Sequence, residues 1–179
     1  MTIIQKRAAF DRKAALFYLI SGILYKFDKE SYERWMKQIK HMKTTLQRIN
    51  KAVHFEASSD SSTVKINIDG PASIGGEGKG VRPMELVLMA LGSCSVFDLT
   101  TILQKQRQDI QDISVEVEGQ RRDEVPNIFT KIHISFLLKG NIDEVKAQKA
   151  AELAVKKYCS VHDMLAAGGV DITYSIKIA

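Results

Sequence analysis

Between Gly80 and Leu103 the chain reads GVRPMELVLMALGSCSVFDLTTIL, a segment long enough for roughly six helical turns. Its charged residues are Arg82, Glu85 and Asp98, and Cys94 lies near its centre. Pro83 suits the first turn of a helix, where its missing N–H costs nothing, and Gly80 lets the chain turn in ahead of it. Apolar side chains occur all round this helix instead of along one stripe, which points to burial on most sides. A lone domain has room for one such helix, so the rest of the chain is expected to enclose it.

Length sets the scale of what can do so. With 179 residues the chain holds one domain and some additional material. A hydrophobic content of 45% with 26% charged residues is that of an ordinary globular protein. The net charge of +5 invites a nucleic-acid reading. However, the basic residues are scattered, and the densest run, Lys37 to Lys51, lacks the interleaved aromatics of a single-strand reader. No nucleic-acid partner is expected. The two cysteines, Cys94 and Cys159, exclude a disulfide scaffold and a four-cysteine zinc site.

The N-terminal part has a different character. Ala14 to Tyr25 is apolar and follows Lys6, Arg7, Arg12 and Lys13, which superficially resembles a signal peptide. No small-x-small cleavage site follows, and the run is shorter than a bilayer span. It reads as an amphipathic helix, followed by a second from Asp28 or Ser31 to about Lys43 with Tyr32, Trp35, Met36 and Ile39 on one face. Residues 1–42 are therefore expected to be a helical extension that packs on the 43–179 domain or on a partner subunit. No membrane role is expected. With no credible export signal and two reduced cysteines, the expected location is the cytoplasm.

From Thr44 the period shortens. Thr45 to Ala57 and Thr63 to Asp69 read as strands, joined by a turn over Ser58, Ser59, Asp60, Ser61 and Ser62. PASIGGEGKG then leads into the apolar helix. A phosphate loop needs Lys-Ser/Thr at the helix start, but Val81, Arg82 and Pro83 stand there, so a mobile linker is expected. Beyond the helix, Ile113, Val115 and Val117 alternate with polar residues, and Phe129 to Lys139 forms the other half of an antiparallel hairpin. Asn141 or Asp143 caps a helix running to about Tyr158, Gly168 and Gly169 end a short helical turn, and Val170 to Ile178 is a last strand. The order β-β-α-β-β-α-β is an α+β pattern, with antiparallel hairpins and two long helices, one central and buried.

PMELVLMALGSCSVFDL followed, after a strand pair, by KYCSVHDML resembles the OsmC/Ohr family of thiol-dependent peroxidases, most closely the OsmC-like subgroup with Pro-Met-Glu-Leu and Gly-x-Cys. The resemblance covers residues 43–179. It implies an intertwined homodimer with both central helices between bent sheets, and active sites at the subunit interface completed by groups from both chains. It also implies that Cys94 reacts with organic hydroperoxides or hydrogen peroxide, that Cys159 resolves the product, and that a dithiol reductant closes the cycle. In such proteins a glutamate near the start of the helix holds an arginine that faces the thiolate. Glu85 and, ahead of Arg48, Arg82 are the residues in place here. The better-known members have that glutamate one position earlier, where this chain has Met84.

The chemistry of these residue types agrees with that part. A thiol attacks peroxide oxygen as its thiolate, and a second thiol condenses with the sulfenic acid before it over-oxidises. Read alone, both cysteines fit inert buried positions, the usual fate of free cysteine. Glu85 lies nine positions before Cys94, roughly 13 Å along the axis, and does not touch it directly. Asp98 follows Cys94 by one turn on the same face, and an ionised carboxylate there opposes thiolate formation unless it is itself paired. His162, three residues after Cys159, brings the donor set to three, short of a four-ligand zinc site. No metal or cofactor is expected. The alternatives from other classes are a non-catalytic ligand-binding stress protein on the same fold and a thiol redox sensor.

Overall fold

The computed structural model describes residues 42–179. The helical extension expected over residues 1–42 lies, Met42 apart, outside the described residues. Of the described residues, 42–45 and 58–64 fall into one compact unit, and 46–57 with 65–179 into another.

Three strands come first: β1 (Thr44–Arg48), β2 (Phe55–Ser59) and β3 (Ser62–Ile68), forming a sheet in that order. The single strand expected over Thr45–Ala57 is thus two. Asn50 turns the chain between them, its side-chain oxygen accepting from the N–H groups of Ala52 and His54. The glycine-rich stretch that follows is pinned, not a mobile linker. Asp69 is buried and accepts from the N–H of Gly70 at 2.8 Å, of Glu77 at 2.8 Å and of Lys79 at 3.1 Å. The Lys79 N–H leads the causes that hold this carboxyl below its ordinary pKa. Three backbone donors on one carboxylate close a loop that composition alone would leave open.

The apolar run is helix α1 (Pro83–Lys105). It packs on a second sheet built from β4 (Asp109–Arg121), β5 (Phe129–Asn141) and β6 (Asp171–Ile178), with β5 in the middle. β4 and β5 form the expected antiparallel hairpin. β6 departs from the antiparallel expectation. It runs parallel to β5, from Lys131↔Asp171 to Leu138↔Ile178, because the connection crosses over through helices. That crossover is α2 (Glu144–Leu153), a π-helical turn (Ala154–Tyr158) and α3 (Ser160–Ala167). Asp143, not Asn141, caps α2, accepting from Lys146 N–H at 2.8 Å.

Period-two burial along β5 places Ile132, Ile134, Phe136 and Leu138 inward. They meet Leu91, Leu99 and Leu103 of α1 and Ala147, Ala150 and Ala151 of α2 in one cluster. Gly92 has a packing reason: a Cβ there would lie 2.9 Å from a Val117 methyl. Among the described residues α1 is not enclosed on most sides. Met89 is 52% and Phe97 71% exposed, so the described residues leave the apolar side chains opposite the core without cover.

Candidate functional site

Helix α1 carries four residues at i+4 spacing, Leu91, Ser95, Leu99 and Leu103, all fully buried. Cys94 adjoins this row and is half-buried. The second cysteine reaches it from the crossover. The π-helical turn ends at Cys159, whose φ of −71° and ψ of 104° make it the extended N-cap of α3. Its sulfur accepts from the His162 N–H at 3.4 Å, taking the place an oxygen usually fills. π-Helical insertions recur at functional sites, and here the insertion ends at the residue that turns into the site.

Cys159 is 1% exposed. Its thiol donates to the Leu91 carbonyl at 3.9 Å, and the Cys94 side chain is near enough to bear on its ionisation. Both are free thiols. Burial, first among the causes, pushes the Cys159 thiol above its ordinary pKa; Cys94 adds to that, while Ser95 and the His162 N–H oppose it. The structure therefore places a partly accessible thiol near an inaccessible one, 65 residues apart in sequence.

Arg82 and Glu85 are placed elsewhere. Arg82 is the N-cap of α1, twelve residues before Cys94, or about 18 Å along the axis, which its side chain does not bridge. Glu85 returns its carboxylate to the helix start, accepting from the Arg82 N–H at 2.8 Å. That is one half of a capping box, and an acid in the first turn also suits the helix dipole. Glu85 further lines an open apolar groove of about 410 Å³ together with Leu88, Met89, Gly92, Val96, Val115 and Val117.

Asp98 is half-buried, and burial raises its carboxyl pKa with no neighbouring charge contributing. The His162 ring is 14% exposed and pairs with Asp163 at 3.3 Å. Among the described residues, no group of three His, Cys, Asp or Glu side chains is arranged to hold a metal ion. Ser95 was not singled out by motif reasoning, although a hydroxyl inside a row of leucines was a readable signal.

Comparison with known proteins is consistent with this arrangement. The sequence profile of the OsmC-like protein family matches residues 76–175. Protein YhfA of Escherichia coli (strain K12) is 43% identical over 101 residues, 56% of this chain and 75% of its own. A solved structure of a hypothetical protein from Aquifex aeolicus VF5 is similar with a TM-score of 0.65 at 31% identity, covering 78% of this chain and 98% of that one. An organic hydroperoxide resistance protein from Elizabethkingia anophelis, solved with thiocyanate bound, shares the fold with a TM-score of 0.62 at 14% identity, covering 80% of this chain and 100% of that one. With the matched segment holding α1, both cysteines and most of the β4–β5–β6 sheet, the chain belongs to the OsmC-like family.

Proposed function

We propose that this chain is a cysteine-based peroxidase that reduces organic hydroperoxides or hydrogen peroxide in cytoplasmic defence against oxidative stress. The observation that carries the reading is half-buried Cys94 lying near enough to buried Cys159 to raise its pKa. A peroxide meets Cys94 first because Cys159 is inaccessible. The Cys94 thiolate attacks the terminal peroxide oxygen, the O–O bond breaks heterolytically, and the departing alkoxide takes up a proton to leave as alcohol. Cys94 is then a sulfenic acid. Cys159 attacks its sulfur, the S–O bond breaks, and the hydroxyl leaves with the thiol proton as water. An external dithiol reduces the resulting disulfide and restores both thiols.

A homodimer supplies what the described residues of one chain lack. The uncovered face of α1, with Met89 and Phe97 exposed, is an apolar surface of the kind that marks an interaction site. Packing a second copy there buries the helix as its composition demands. It also brings a second set of arginines near the first site, and the activating cation is assigned to that source. Arg82 is the candidate for it, positioned by the helix start that Glu85 closes. The organic hydroperoxide resistance proteins that share the fold support the choice of substrate class.

The test is turnover of an alkyl hydroperoxide with a dithiol reductant. Catalytic consumption by the wild type that is lost in Cys94→Ser supports the peroxidase. A Cys94–Cys159 disulfide formed without turnover assigns the chain to thiol sensing instead, and neither event leaves a binding protein.

A further inference from the structure

The Ser95 hydroxyl is 0% exposed and its Oγ has no hydrogen-bond partner of regular geometry. A helical serine ordinarily donates back to the carbonyl four residues earlier, as Thr100 does to Val96 at 2.7 Å and Thr101 to Phe97 at 2.8 Å. For Ser95 that carbonyl belongs to Leu91, and it already faces the Cys159 thiol at 3.9 Å. A helical carbonyl points along the axis toward the residue four ahead, so the Cys159 sulfur sits beside the Ser95 side chain. A buried hydroxyl without a partner is costly, and the Cys159 sulfur beside it is placed to serve as that partner.

We propose that Ser95 is the positioning donor of the resolving thiol: its hydroxyl, together with the His162 N–H, holds the Cys159 sulfur as a thiolate aimed at oxidised Cys94. This rests on the peroxidase reading and adds the step that follows oxidation. While reduced, Cys159 keeps its proton, and its S–H donates a hydrogen bond to the Leu91 carbonyl. As that proton passes to the hydroxyl of the Cys94 sulfenic acid, the sulfur gains thiolate character and accepts from the His162 N–H at 3.4 Å and from the Ser95 O–H. The Cys159 sulfur then attacks Cys94 sulfenic acid, the S–S bond forms, the S–O bond breaks, and the hydroxyl leaves with the thiol proton as water. No further reagent enters this step.

The charged surroundings do not compete for the role. Cys94 on α1 disfavours the Cys159 thiolate while both thiols are reduced. The His162 ring is taken by Asp163. From the π-helical turn, Lys156 pairs with Glu152 at 4.0 Å and Lys157 lies over the Tyr158 ring at 5.4 Å.

The experiment compares wild type with Ser95→Ala in single-turnover oxidation by an alkyl hydroperoxide, reading sulfenic acid formation and disulfide formation separately. Ser95→Ala is expected to slow the second phase relative to the first by about tenfold, the usual effect of one hydrogen bond to a charged group. It is also expected to divert Cys94 toward sulfinic acid. An unchanged ratio of the two phases overturns the inference. A second measurement is independent of peroxide. In Cys94→Ser protein, absorbance titration of the Cys159 thiolate is expected to move about one unit upward when Ser95→Ala is added, and no movement overturns the inference. Failure of Cys94 to react with peroxide at all sinks the peroxidase reading, while this titration still decides the role of Ser95. Because the substitution removes a buried hydroxyl without a partner, Tm is expected to hold or rise, which separates this role from a purely structural one.

Discussion

The thiol of Cys159 donates to the carbonyl oxygen of Leu91, 68 residues earlier in the chain, across 3.9 Å. Leu91 lies one turn before Cys94 on the same helix, so this contact holds the start of α3 against the turn that carries the more exposed sulfur. The pairing of the two cysteines is thus a property of how the crossover docks on α1.

Replacing the inner sulfur separates the two halves of the proposed chemistry. Cys159→Ser is expected to leave the first oxidation of Cys94 within about twofold of wild type and to abolish the intramolecular disulfide. Without a resolving thiol, Cys94 proceeds to sulfinic acid, seen by mass spectrometry as two added oxygens. Normal recycling in this variant rules out Cys159 as the resolver.

Asp98 lies one turn beyond Cys94 with no hydrogen-bond or ionic partner among the described residues. Two unit charges about 6 Å apart in water interact by roughly 0.7 kcal/mol, or about threefold in rate. Asp98→Asn is therefore expected to speed oxidation of Cys94 about threefold at neutral pH, measured by stopped flow. Stability carries its own signature. Burial raises the native pKa of this carboxyl, so its contribution is fully present below the unfolded value near ~3.9 and is lost as pH rises through the raised native value. The Asn variant should accordingly show a higher Tm than wild type at pH 7, with the gain fading toward about pH 4. A gain independent of pH contradicts the assignment.

The central helix was legible because a long apolar run opened by proline at its first turn has few other solutions, and the alternation in β4 and β5 was legible for the same kind of reason. The parallel return of β6 was not. An alternating strand has the same pattern in either direction, and only the docking of α2 and α3 decides which one it takes. Arg82 and Glu85 carried a motif-level signal, yet the reach of one helix separates them from Cys94, and Glu85 binds the Arg82 N–H. Ser95 shows the converse. Nothing in a motif marks it, but its place among Leu91, Leu99 and Leu103 put a hydroxyl where only hydrocarbon was expected. The order of the glycine-rich loop is not legible in its composition, because it comes from Asp69, which precedes the loop and binds its N–H groups.

Asp69 gives an acid-side test. Its native pKa is lowered, chiefly by the Lys79 N–H, so its stabilisation is complete above the unfolded value near ~3.9 and is lost as pH falls through the lower native value. Asp69→Asn, which turns one acceptor into a donor facing N–H groups, is expected to lower Tm by several degrees at pH 7. The deficit should shrink below about pH 4. Hydrogen exchange should also show loss of protection at the Gly70, Glu77 and Lys79 amides, and unchanged protection contradicts the role given to this carboxylate.

Phe97, 71% exposed on α1, tests the homodimer. Phe97→Glu places a charge in the middle of the proposed interface, where an unpaired buried ion is strongly disfavoured. Light scattering is expected to find a dimer for wild type and a monomer for the variant. A wild-type monomer at micromolar concentration, or a variant that stays dimeric, removes this face from the interface.

The most direct measurement is stopped-flow oxidation of fully reduced protein by an alkyl hydroperoxide, with Cys94→Ser alongside. The expected result is a second-order reaction far faster than that of free cysteine, abolished in the variant and ending in one Cys94–Cys159 disulfide per chain. A rate equal to that of free cysteine, or one indifferent to Cys94→Ser, contradicts the peroxidase.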